Sequence, residues 1–334
     1  MQQMIDLIRL AAILGAAICS ASPILAQAPG VPIETLANKM FDPGILAQAD
    51  ALKAAGKLVM NTGSVKQQLH TPTPAVVRFA RARTHALAGR EIARIAREAH
   101  LRFGWYYQCS HCEHWHLSLA GAYGVGNEAI ATCYHCVDPG PDVREGYLIA
   151  LDHTGKVLPV TAVLASSMPL DGAILRVEGG KFASLPLSDG AAPGDRAYCF
   201  SSPFGQAGYF SEGIVNRFFW SGTAGKGVTA EQWENLRMNV STDWAPGSSG
   251  SAVLDRAGNV IGHVSTIQPL SEDPGRAAAR AAGGKADKSQ DNRFGGATLI
   301  TLHDASPARG MLALAAGLRD RKATAAVVPQ KPVP

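Results

Sequence analysis

Three short runs carry side chains suited to acyl transfer. His135 lies in Thr132-Cys133-Tyr134-His135-Cys136-Val137, Asp171 heads Asp171-Gly172-Ala173-Ile174-Leu175-Arg176-Val177, and Ser249 lies in Pro246-Gly247-Ser248-Ser249-Gly250-Ser251-Ala252-Val253. A serine hydroxyl is a poor nucleophile until a neutral imidazole takes its proton, and a carboxylate must orient that imidazole. Glycines around Ser249 permit a sharp turn, because glycine accepts dihedral angles that a Cβ forbids. Such a turn aims the amides of Gly247 and Ser249 at one point, an oxyanion hole for a tetrahedral intermediate. Ser248 is a competing hydroxyl, but the flanking glycines fit the motif around Ser249. Each run alone has a plainer reading. Gly-x-Ser-Gly is common in loops, a histidine at a strand end is often structural or metal-bound, and Asp152 and Asp189 are turn aspartates much like Asp171. The conjunction of the three is what points to a triad.

A second cluster is built from Cys109-x-x-Cys112 and Cys133-x-x-Cys136, separated by twenty residues. That spacing suits a four-cysteine zinc ribbon, with His111, His114 and His116 as further ligands. Two disulfides are the competing account, since an exported chain meets an oxidising compartment. In either case the role is to anchor the loop that carries His135. Cys199, in the apolar run Tyr198-Cys199-Phe200, reads as a buried free thiol. No His-Glu-x-x-His run is present, which argues against a metallopeptidase.

The elements that must position these groups divide at about residue 100. Ile45–Val59 has apolar residues at helical spacing, interrupted by Gly56, and Thr71-Pro72-Thr73-Pro74 reads as a rigid linker. Thr84 is placed to cap a second helix with Ala88, Ile92, Ile95, Ala96 and Ala99 on one face and Arg90, Arg94 and Arg97 on the other. That arginine face reads as solvated surface. From Leu101 the pattern is of short strands: 101–108, 117–123, 128–132, 147–151, 156–164, 174–177, 196–200, 213–220, 236–240, 252–254, 260–265 and 297–302. Turn signals such as Gly124-Val125-Gly126-Asn127 and Asp152-His153-Thr154-Gly155 separate them. Many short strands with turns between them predict an all-β barrel or sandwich. Residues 272–294 read as a loop, Pro307–Leu318 as a terminal helix, and 319–334 as a disordered tail.

The net charge of +4 over 334 residues is too small to argue for nucleic acid. Residues 1–28 read as a signal peptide, with Arg9, an apolar Leu10–Ala17 and the small-residue exit Leu25-Ala26-Gln27-Ala28. The chain is therefore expected in the periplasm or secreted, with no integral membrane segment after signal removal. Removing the signal also removes Cys19 and leaves five cysteines, an odd number.

The three runs resemble the trypsin-like (chymotrypsin-fold) serine peptidases, and within them the bacterial HtrA-type and glutamyl-endopeptidase-type branches. Thr132–Val137 is similar to their Thr-x-x-His-[Cys/Val]-Val, Asp171–Val177 to Asp-x-Ala-[Leu/Ile]-Leu-x-[Val/Leu], and Gly247–Ser251 to Gly-x-Ser-Gly-[Gly/Ser]. The resemblance covers residues 101–318 and implies two six-stranded antiparallel β-barrels with the site in the cleft between them. The helical extension at 29–100 precedes them. It implies His135 as general base, Asp171 as its orienting carboxylate, Ser249 as nucleophile, and protein or peptide substrates with no catalytic cofactor. It further implies Asp243 as a pocket acid, with His263 a second candidate pocket residue, and a disulfide between Cys136 and Cys112 that leaves Cys109 with Cys133. Too few residues follow Leu318 for a PDZ domain. Hydrolysis is expected to decline as pH falls through about 7, where an unperturbed histidine protonates. The alternatives are a catalytically silent trypsin-like binding protein and a zinc- or redox-responsive envelope module built on the four cysteines.

Overall fold

The computed structural model describes residues 42–73, 75–221, 234–271 and 298–326. The expected signal peptide, the stretch 272–294 and the tail beyond 326 lie outside the described residues.

Among the described residues, twelve strands form two closed antiparallel barrels. The first contains β1 (His100–Cys109), β2 (Trp115–Gly126), β3 (Ala129–Thr132), β4 (Val143–Leu151), β5 (Val157–Ser167) and β6 (Gly172–Val177). The second contains β7 (Arg196–Ser201), β8 (Tyr209–Trp220), β9 (Leu236–Val240), β10 (Ala252–Leu254), β11 (Val260–Ser271) and β12 (Thr298–Pro307). Around the first barrel the order is β1-β2-β3-β6-β5-β4, and around the second β7-β8-β9-β12-β11-β10. The two connectivities are the same, so the third-to-fourth strand connections correspond. One holds His135 and the other holds Ser249. Closure removes the unpaired edges that short strands would otherwise expose. Phe103, Ile130, Leu148, Val163 and Leu175 fill the first interior, and Cys199, Val215, Met238, Val253 and Ile261 fill the second.

The segment before the barrels is built into them. Helix α1 (Asp42–Ala54) covers the first barrel, placing Ile45 and Ala49 against Tyr106, Ile149 and Leu151. Helix α2 (Thr62–His70), which the periodicity did not predict, starts at Asn61, whose side chain accepts from the Ser64 amide at 2.9 Å. Its Val65 and Leu69 join the interior of the first barrel together with Met60. Backbone bonds reinforce it: Leu148 N donates to Met60 O at 3.0 Å and Thr73 N to Val163 O at 2.8 Å. Helix α3 (Gly89–Ala99) buries Ile92, Ala96 and Ala99 among Tyr123 and Val125 of one barrel and Tyr198 and Phe200 of the other. Thr84 is not its cap; Ala88 occupies that position with no side-chain bond. On its outer face Arg94 pairs with Glu91 and Glu98, both at 2.6 Å. Exposed pairs of this spacing add only about 0.2–0.5 kcal/mol each, so the helix is held by its apolar face. After β12, the terminal helix α5 (Ala308–Ala326) runs beyond Leu318, so helix replaces part of the expected tail. Its Met311 and Leu314 pack beneath Leu170 and Gly172.

Ile92 is completely buried in the apolar cluster that α3 shares with both barrels. Ile92→Ala should lower stability by about 2–5 kcal/mol, read from urea unfolding by tryptophan fluorescence. A loss below about 1 kcal/mol would mean that α3 adds little to holding the barrels.

Candidate active site

His135 sits on a single helical turn, α4 (Tyr134–Val137), directly after β3. Thr132, at the end of that strand, donates its hydroxyl to Gly121 O at 2.8 Å. Asp171 stands in the β5–β6 turn with φ at +48°, a left-handed conformation that aspartate tolerates better than most residues. Three donors meet its carboxylate. The ring Nδ1 of His135 lies 2.9 Å from Oδ1 and 3.0 Å from Oδ2. The His135 backbone N–H donates to Oδ1 at 3.1 Å, and Ser265 Oγ donates to Oδ2 at 2.6 Å. An ionised carboxylate only accepts, so Nδ1 of His135 carries a proton and Nε2 is the position left to exchange one.

Electrostatics follow from this geometry. Burial works against ionisation of Asp171, but the His135 hydrogen bond and charge, then Ser265, outweigh it and lower its pKa to about 2. Burial likewise works against protonation of His135, yet its bond to Asp171 and contact with the Cys136 sulfur, with the charges of both, raise it to about 10. Cys136 falls to about 6, through a contact from Cys133 that outweighs burial and through His135. The linkage signs are opposite. The His135 contribution to stability is complete below its ordinary 6.5 and is lost as pH rises through about 10. The Asp171 contribution is present above its ordinary 3.8 and is lost as pH falls through about 2. The pair therefore supports the fold most between 3.8 and 6.5. A neutral imidazole, by contrast, requires alkaline pH, so the limb expected near 7 moves upward.

The serine loop docks against the histidine loop. Ser249 O accepts from Gly121 N at 2.7 Å, and Gly250 N donates to Val264 O at 2.8 Å. A Cβ on Gly250 would lie 2.3 Å from Gly121 O and 2.3 Å from Thr132 Oγ1, and its φ is +82°. No other residue fits there. Gly121 is as tightly placed, since a Cβ on it would meet Ser251 Oγ at 2.1 Å. The loop turns at Gly247 (φ +97°), with Ser248 N donating to Ala245 O and Ser251 N to Ser248 O, both at 3.0 Å. Among the described residues, the amides of Gly247 and Ser249 donate to no acceptor. Ser248 is fully buried, and its hydroxyl donates to Ser201 Oγ at 3.1 Å. Ser249 is only half-buried. The hydrogen bonds of the described residues include His135 with Asp171 but none between Ser249 Oγ and His135. Such a contact is often loose before substrate binds.

Other expectations fare differently. His263 is buried, with Nε2 2.8 Å from Asp171 O. A carbonyl only accepts, so Nε2 carries the proton, and burial keeps the ring's pKa low. Asp243 is exposed, and its backbone exchanges bonds with Ser211 Oγ at 3.0 and 3.1 Å. The four clustered cysteines do not form one site. Cys109, Cys112 and His116 make one group, and Cys133, His135 and Cys136 another. All are free thiols, Cys133 donating to Val264 O at 2.9 Å. The disulfides Cys112–Cys136 and Cys109–Cys133 are thus absent, because each Cys-x-x-Cys pair is held within its own turn. Cys199 is the buried free thiol expected, pushed by burial up to about 12. Ser265 and Arg237 were missed. Arg237 reaches from β9 to Pro169 O at 2.9 Å beside the aspartate turn. Neither stands in a recognisable run, because both act across the seam between barrels.

Residues 121–262 match the family described as trypsin-like peptidase domain. The matched stretch runs from β2 into β11 and so crosses both closed six-stranded barrels. Among solved structures, the serine endoprotease from Yersinia pestis aligns with a TM-score of 0.45 and 15% identity, over 71% of this chain and 69% of that one. None of the curated proteins compared matches the chain.

By histidine NMR, the His135 imidazole should titrate well above 6.5. Asp171→Asn should bring that titration down, because burial then acts with less opposition. A titration that does not move would mean that Asp171 is not what holds the proton.

Proposed function

We propose that this protein is an exported serine endopeptidase that cleaves peptide bonds through an acyl-enzyme intermediate. The observation that carries the reading is the serine loop, whose amides at 247 and 249 have no acceptor while those at 248, 250 and 251 are engaged. A turn left with two unspent donors beside an accessible hydroxyl is what a developing oxyanion requires. In the mechanism, His135 Nε2 removes the proton from Ser249 Oγ as it attacks the carbonyl. The amides of Gly247 and Ser249 receive the oxyanion, and His135 then passes its proton to the leaving amine. Asp171 holds the Nδ1 tautomer and offsets the imidazolium charge. Water repeats the cycle on the acyl-serine. Ser265 and His263 act as positioning residues, one on the Asp171 carboxylate and the other on its backbone.

Export rests on the leader-like residues 1–28. No helix of the described residues is long and apolar enough to cross a membrane. Protein or peptide substrates follow from the chemistry, and the cleavage preference is not assigned to Asp243 or His263.

A fluorophosphonate should label the wild type and Ser248→Ala, provided the latter folds, and fail on Ser249→Ala. Labelling of Ser249→Ala would remove the serine from the mechanism. Peptide hydrolysis should rise with pH through the alkaline range. Cys136→Ser should move that limb to lower pH, because it removes an anion that stabilises the imidazolium. A limb that stays in place would show that the sulfur does not act on His135.

A further inference from the structure

The hairpin of β1 and β2 brings two thiols and an imidazole together at its tip. Tyr107 pairs with His116 across it, and Cys109, two residues on from Tyr107, shares the His116 face of the sheet. The pairing of β1 with β4 slips between Gln108 and Cys109, and Cys112 lies in the turn that follows β1. Cys109 Sγ and Cys112 Sγ lie 3.4 Å apart, and His116 Nε2 lies 3.6 Å from the first and 2.9 Å from the second.

We propose that Cys109, Cys112 and His116 form a zinc site that staples the tip of this hairpin. A tetrahedral zinc with its usual bond lengths sets two sulfurs about 3.8 Å apart and a sulfur and nitrogen about 3.5 Å apart. The Cys109–His116 edge of 3.6 Å already fits, while the Cys109–Cys112 edge of 3.4 Å and the Cys112–His116 edge of 2.9 Å must each open by about half an ångström. Two thiolates and an imidazole suit zinc better than magnesium or calcium, which take oxygen ligands. Binding releases the thiol protons, and water completes the fourth position. A disulfide would draw the sulfurs to about 2.05 Å and leave the convergence of His116 on both without a reason.

The group of Cys133, His135 and Cys136 is a weaker candidate. Cys133 Sγ is spent on Val264 O, and His135 Nδ1 on Asp171. The hairpin assignment differs from a four-cysteine ribbon and does not depend on peptidase activity. Its structural role is specific: β2 continues from His116 to Gly121, whose amide holds the serine loop.

The test is titration of the reduced full chain with Zn²⁺ against a chromophoric chelator, and with Co²⁺ as spectroscopic probe. The expected result is one tight equivalent per chain, with intense thiolate-to-cobalt charge-transfer bands. His116→Ala should weaken the site at least about tenfold, and Cys109→Ser/Cys112→Ser should abolish it. Cys133→Ser/Cys136→Ser should retain it. His116→Ala leaves both thiols in place, so it keeps the test decisive if the double-serine protein misfolds. Zinc should also raise Tm in the wild type and not in His116→Ala. The assignment is overturned if no tight equivalent binds, or if binding survives in His116→Ala at full strength. It is equally overturned if Cys133→Ser/Cys136→Ser abolishes binding, or if mass analysis of freshly isolated protein finds a Cys109–Cys112 disulfide without metal.

Discussion

A strip of β11 holds the two barrels in register, and everything at the site depends on it. His263 Nε2 donates to the Asp171 carbonyl, Val264 O accepts from both Cys133 Sγ and Gly250 N, and Ser265 Oγ donates to the Asp171 carboxylate. Three successive residues of one barrel thus reach the aspartate turn, the histidine loop and the serine loop. The hydrogen bonds are buried, where an unmade partner costs about 1–3 kcal/mol. The seam is therefore specified by polar geometry as well as by the apolar contacts around Tyr198, Phe200 and Tyr123.

The same seam explains why the aspartate stays charged while buried. Ser265 and His135 supply donors, and the left-handed turn at Asp171 presents the carboxylate to both. The resulting ion pair favours the imidazolium, whereas the proposed proton abstraction needs the neutral ring. The site stores acid at neutral pH, and Cys136 deepens that preference. What stabilises the fold between 3.8 and 6.5 therefore opposes the neutral imidazole that the proposed mechanism uses.

Local chemistry was legible in the sequence, and long-range contacts were not. The runs around His135, Asp171 and Ser249 are compact, and alternating strands with turn residues announce β structure over short windows. Two details follow from geometry that no window contains. Ser265 and His263 gain their meaning only when β11 crosses to the first barrel. The two Cys-x-x-Cys pairs have zinc-ribbon spacing, but the hairpin turn and α4 hold them in separate groups, so spacing alone misassigned them. Helix α2 escaped notice because nine residues with two buried apolar positions, Val65 and Leu69, give almost no periodic signal. The N-terminal segment looked like an appendage by composition, yet Ile92, Met60 and Val65 make it part of the packed interior.

The proposed mechanism requires the seam to bring the His135 imidazole and the amides of Gly247 and Ser249 to the Ser249 hydroxyl. The most direct measurement is a crystal structure of the fluorophosphonate-treated protein. The account requires phosphorus bonded to Ser249 Oγ, with a phosphoryl oxygen about 2.7–3.1 Å from the amides of both Gly247 and Ser249 and His135 Nε2 turned toward the adduct. Phosphorus on another residue, or a phosphoryl oxygen directed away from those amides, would contradict it.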